Sequence, residues 1–146
     1  MKVEFKETLS LDVRSQKSEK YMETSALKTI PAFINSDGGD LLIGVTDKGE
    51  IRGIDAEVDK LHKKSMDKFE QYFKNKLKQR IGLDFSGKVR PYRVEVDGMT
   101  VFRVTVEPSK QPCFLDEETY LIRTTSTSEP LAGPKLAAYL RNRSVD

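Results

Sequence analysis

Ile34-Asn35-Ser36-Asp37-Gly38-Gly39-Asp40-Leu41-Leu42-Ile43-Gly44-Val45-Thr46-Asp47 is the stretch that decides how this chain folds. Helical spacing of apolar residues stops at an Asn/Asp/Gly turn, a short apolar run follows, and that run ends in Gly-Val-x-Asp. Paired glycines take positive φ at little cost, so a helix can hand directly to a buried strand. Asp47 then falls at the far end of that strand, where functional side chains gather in α/β layers.

Working outward, Val3 and Phe5 alternate with Glu4 and Lys6 in a short strand over 2–7. Residues 10–18 are polar and read as a loop. Over 19–35, Met22, Ala26, Leu27, Ile30, Phe33 and Ile34 recur at helical spacing. Pro31 lacks a backbone donor, so it kinks or restarts that helix. Residues 41–45 form the buried strand, 47–50 a turn, and 51–54 the hairpin partner. The longest helical signal covers 56–81, with Val58, Leu61, Phe69, Tyr72, Phe73, Leu77 and Ile81 as its apolar stripe and Gly82 as its C-cap. Alternating strands at 89–96 and 99–107 flank Asp97-Gly98, a type I′ hairpin signal. A connector over 108–112 and an acidic turn at 116–118 precede a last strand at 120–124. An amphipathic helix over 131–143 closes the chain. These elements predict an α+β fold, a mixed β-sheet packed by about three helices, in a single domain over 1–146.

The 146 residues suffice for one core, and 37% apolar with 33% charged content marks a globular chain. No apolar run is long enough for a membrane span, and residues 1–5 lack a signal-peptide apolar region. One cysteine and one histidine build no Cys/His zinc site. The cytoplasm is the expected location. Net charge is only +2, but residues 60–80 hold eight Lys or Arg against Asp67 and Glu70. Lys63, Lys64, Lys68, Lys74 and Lys78 on that segment are candidate phosphate contacts, or else a solvated helix face.

The order of motifs resembles the Schlafen AlbA_2 family: Glu4-Phe5-Lys6, then 32–39, then Leu42-Ile43-Gly44-Val45-Thr46-Asp47 with its trailing hairpin at 49–53, then Tyr120-Leu121-Ile122-Arg123 with Ser126-Thr127-Ser128. The resemblance implies association with nucleic acid, RNA or DNA, in a regulatory or defence module. Some such domains are metal-dependent endoribonucleases whose acids hold Mg²⁺ or Mn²⁺ to activate water. Carried over, the catalytic and metal-ligating candidates are Glu4 and Asp47. Lys6 and Arg123 are candidate nucleic-acid contacts. Binding alone would need no cofactor. A further acid that the nucleases carry shortly before the Glu-Phe-Lys motif has no counterpart here. Asp37 and Asp40 are candidates for a third acid only through nearness in sequence. Glu7 alternates to the opposite strand face from Glu4.

Other residues read two ways. Arg93 and Arg103 either form a phosphate-facing ladder or pair with Glu95 and Glu107. Tyr21, Tyr92 and Tyr120 either stack on bases or belong to the core. His62 is expected on the surface of the basic helix, and Cys113 as a buried thiol. Gly38-Gly39 precede a strand without Gly-Lys-Ser/Thr, which excludes a nucleotide-hydrolysing phosphate loop. Three functions follow as expectations: a nucleic-acid-binding domain, a metal-dependent endoribonuclease, or a protein-interaction or sensor domain that binds no nucleic acid. An exposed strand edge or apolar helix side would also allow a homodimer.

Overall fold

Residues 7–38 separate the first two strands of the main sheet, yet those strands lie side by side and parallel. The structure, a computed structural model, describes residues 2–144. The single-domain expectation over 1–146 includes Met1, Val145 and Asp146, which lie outside the described residues. Strand β1 (Val3–Lys6) pairs in parallel with β4 (Gly39–Ile43). The crossover holds a two-residue hairpin, β2 (Leu11–Asp12) with β3 (Lys17–Ser18), then helices α1 (Lys20–Leu27) and α2 (Thr29–Ile34). The segment 10–18, expected as a loop, therefore carries a minimal hairpin.

Helices α3 (Asp55–Leu61) and α4 (Met66–Arg80) follow. A 3₁₀ turn then leads into β5 (Val89–Val96) and β6 (Met99–Val106), joined at Asp97-Gly98 as the dipeptide predicts. The sheet order is β1-β4-β6-β5. A separate three-stranded sheet, β7 (Phe114–Leu115), β8 (Thr119–Arg123) and β9 (Ser128–Leu131), precedes α5 (Gly133–Ser144). The fold is α+β, with five helices among the described residues where about three were expected. No helix among them is long and apolar enough to cross a membrane.

One face of the main sheet carries the core. Leu41 pairs with Val104 and Ile43 with Phe102. Phe69 and Phe73 of α4 meet the Phe102 ring edge-on at 5.0 and 5.2 Å. On the opposite face Asp40 pairs across to Thr105 and Leu42 to Arg103. A one-residue offset separates the two sets, as strand alternation demands.

The opening motif is explained by close packing. A Cβ on Gly39 would lie 2.7 Å from the Phe33 ring, and one on Gly44 (φ +103°) would lie 2.9 Å from the Gly53 backbone. Asn35, fully buried at the end of α2, ties the second sheet to that helix. Its amide donates to the Cys113 carbonyl (2.8 Å) and the Leu121 carbonyl (2.9 Å), and its Oδ1 accepts from the Cys113 N–H (2.9 Å). Pro31 sits in the first turn of α2, where its missing donor costs nothing, so the helix restarts at Lys28 rather than kinking.

Several expectations change. The helix predicted over 56–81 is two helices, because Lys63 and Lys64 adopt positive φ (52° and 62°) and Ser65 caps α4 by accepting from the Lys68 N–H. The hairpin partner at 51–54 reduces to a single bridge, Val45 with Ile51. His62 is buried, not on the surface. It ends α3 and packs against the Phe69 and Tyr72 rings at 5.3 and 5.0 Å, and burial lowers its pKa. Tyr120 is core. The Cys113 thiol is buried as expected and pushed up to about 12 by desolvation.

Candidate nucleic-acid interface

Glu4 and Lys6 point to the same side of β1, two residues apart, at the edge of the main sheet. Arg123 ends β8 of the second sheet, which Asn35 ties to the end of α2. Arg123 lies across the Phe33 ring (5.3 Å to the centroid), and its backbone N–H donates to Ser36 Oγ (2.8 Å). From there its Nη2 donates to Glu4 Oε1 at 2.6 Å and its Nη1 to Ser128 Oγ at 3.3 Å, while Nε has no hydrogen-bond partner. Lys6 Nζ donates to Ser25 Oγ of α1 at 2.9 Å and lies 3.5 Å from Glu4 Oε2.

These groups line a cleft of about 140 Å³ with Lys28, Thr29 and the hydroxyl-bearing turn Ser126–Ser128. Thr124 shapes that turn by donating its N–H to the Thr127 carbonyl at 2.9 Å. Three cations, one acid and several hydroxyls make a surface suited to phosphate oxygens. The cleft does not end there. Lys28 also lines an open cleft over α1 with Lys20, Tyr21, Thr24 and Ser25. Lys20 in turn lines a third cleft, with Glu23, Tyr72, Lys76, Arg80 and Asp116. Shared lining residues, first Lys28 and then Lys20, set the three clefts in line as a trough along α1, edged by Arg123, Lys6, Lys28, Lys20 and Lys76. Tyr21 projects from it, 60% exposed, with its hydroxyl donating to Asp12.

Of the residues chosen from sequence, Glu4, Lys6 and Arg123 come together. Lys63, Lys64, Lys68, Lys74 and Lys78 are exposed but lie outside this trough; Lys74 and Lys78 flank a different cleft, beside the 3₁₀ turn. Asp47 is exposed in the turn after β4, outside the Glu4 cleft, and makes no hydrogen bond or ion pair among the described residues. Asp37 lies 3.8 Å from Lys2, and Asp40 faces away from Glu4 by the alternation of paired strands. Asp40 is held by Arg103 (3.1 Å) and Thr105 (2.7 Å); burial pulls its pKa up, but these two partners outweigh it and leave it lowered.

Arg93 and Arg103 form no ladder, because they occupy opposite faces: Arg93 pairs across from Phe102, and Arg103 from Tyr92. Nor do they bind Glu95 and Glu107. Arg93 clamps Asp67 and Glu70 of α4, Arg103 binds Asp40 beneath Tyr92, and it is Arg90 that meets Glu107. Lys20, Lys28 and Lys76 were missed as site residues. The break between α1 and α2 is what presents Lys28, and only Pro31 hinted at it.

The donor set around Glu4 does not fit a divalent cation. Its carboxylate already meets two cations, and among the described residues no three His, Cys, Asp or Glu side chains gather as a metal-binding group.

The Schlafen AlbA_2 family model matches residues 1–132 of the 146, and the chain belongs to that family. Among solved structures, the chain is similar to the DIP2311 protein from Corynebacterium diphtheriae, with a TM-score of 0.65 and 19% sequence identity. The match covers 98% of this chain and 27% of that one, and at this identity it speaks to the fold alone. No curated protein matches the chain.

Proposed function

We propose that this domain binds nucleic acid along α1, as the contacting module of a regulatory or defence protein. The observation that carries the reading is the convergence of Lys6, Lys28 and Arg123 on one cleft with the Ser126–Ser128 hydroxyls. Strands β1 and β8 and the break between α1 and α2, distant in sequence, deliver these groups to one place. Membership of the Schlafen AlbA_2 family supports the same reading.

Phosphates would sit in the Lys6–Arg123 cleft and follow α1 toward Lys20, with Tyr21 free to stack on a base. The trough offers charge and hydroxyls rather than a set of base-edge readers, so binding is expected to be salt-sensitive and weakly selective for sequence. Neutralising about three to four phosphates gives a slope of log K against log salt of about −2 to −3 for a single strand. Fluorescence anisotropy with labelled single-stranded RNA, duplex RNA and duplex DNA across a salt series tests this. Lys28→Ala should weaken binding severalfold and flatten the slope. Binding that does not respond to salt, or none to any of the three, contradicts the reading and favours a protein-interaction domain.

A further inference from the structure

We propose that the cleft between α1, α4 and the β7–β8 turn is a second oxyanion site, which holds one phosphate group against Arg80, Lys76 and Lys20. It rests on the α1 reading and lies at the opposite end of that trough from the Lys6–Arg123 cleft. The space measures about 500 Å³.

Arg80, 9% exposed, is fixed in place: Nε and Nη2 donate to the two carboxylate oxygens of Asp116 at 2.9 and 2.7 Å, and the Asp116 N–H donates back to the Arg80 carbonyl at 2.7 Å. The third guanidinium nitrogen, Nη1, is buried without a hydrogen-bond partner, 3.5 Å from Glu23 Oε1. Such an orphaned donor is costly unless something meets it. The acids of the cleft need no further donors. Glu23 accepts from the Tyr72 hydroxyl and faces Lys76 at 3.7 Å as well as Arg80. Donor capacity remains on Arg80 Nη1, on Lys76 and on Lys20, which arrive from two helices.

Three cations against two acids leave the lining at +1, which complements a singly charged oxyanion. A tetrahedral phosphate has oxygens in enough directions to meet donors from both walls, whereas a planar carboxylate does not. The phosphate could belong to a polynucleotide chain or to a small phosphate ester, and the shared chemistry is the oxyanion itself.

The test titrates the full chain with inorganic phosphate, a nucleoside 5′-monophosphate and a dinucleotide carrying one internal phosphodiester. The Arg80 Nε–H signal and the amides of 18–23 and 76–80 are followed by NMR. A saturable shift at Arg80 is expected, weakened about tenfold or more by Lys76→Ala, a loss in the range of one charge-assisted hydrogen bond. Lys28→Ala, in the other cleft, should leave phosphate binding at Arg80 intact even where it weakens RNA binding. Equal affinity for the dinucleotide assigns the site to a chain phosphate; preference for the monophosphate assigns it to a small ester. Arg80→Lys would break the fork on Asp116 and risk the fold, so exposed Lys20 and half-buried Lys76 carry the test. No saturable shift at Arg80, or saturation unaltered in a folded Lys20→Ala/Lys76→Ala double variant, overturns the proposal.

Discussion

The Glu4 carboxylate accepts from Arg123 and lies beside Lys6, in the place where a phosphate oxygen would find its donors. It therefore competes with an incoming anion. Glu4→Gln keeps an acceptor for Arg123 while removing the charge, so it should tighten binding of single-stranded RNA severalfold at low salt, as read by anisotropy. Weaker binding in the variant would mean that Glu4 positions Arg123 rather than opposing the ligand. His62 offers a second residue-level prediction, because it is the one histidine of the chain. Burial depresses its folded pKa below the ordinary 6.5, so the unfolded chain binds the proton more readily. Stability is then full above pH 6.5 and falls as pH drops through the folded value. In urea unfolding between pH 7.5 and 5.5, His62→Leu should flatten that slope. A slope unchanged by the substitution would place its origin in other groups.

At the scale of elements, Asn35 joins the second sheet to α2 through three hydrogen bonds, and its own carbonyl accepts from the Tyr139 hydroxyl of α5 at 2.6 Å. Asn35→Leu strands the Cys113 N–H and carbonyl and the Leu121 carbonyl, a loss of about 3 kcal/mol or more in denaturant unfolding. Because β8 carries Arg123, the same change should also weaken RNA binding. The sequence made β1, β4 and the β5–β6 hairpin legible, since alternation, Gly-Gly and Asp-Gly each act within a few residues. It misled over 56–81, where an unbroken apolar stripe conceals two lysines with positive φ and a Ser65 cap; lysine carries no signal for that conformation. Of the second sheet, the acidic turn at 116–118 and β8 showed in the sequence, but β7, β9 and their docking were missed for a different reason. Its strands are short, from two to five residues, and Asn35, the residue that docks them, binds partners 78 and 86 positions away.

Over the whole molecule, charge is distributed differently from how the composition suggests. The lysine-rich segment is the strongest electrostatic signal in the sequence, yet Lys68, Lys74 and Lys78 spread over the outer side of α4. The cations that converge come singly, from β1, the α1–α2 break, α1 itself, β8 and, with Lys76 alone among the trough lysines, α4, and only Lys6 and Arg123 among them were marked by a motif. Convergence is a property of the fold and leaves no local trace in the chain. The most direct measurement compares two triple variants for single-stranded RNA binding across a salt series: Lys6→Ala/Lys20→Ala/Lys28→Ala in the trough, and Lys68→Ala/Lys74→Ala/Lys78→Ala on α4. Both remove the same charge, so the bulk electrostatic change is matched. Loss of most affinity and a flatter salt slope in the trough variant, with a modest effect in the α4 variant, is the predicted result. Equal losses in the two, or a larger one on α4, would contradict an interface along α1.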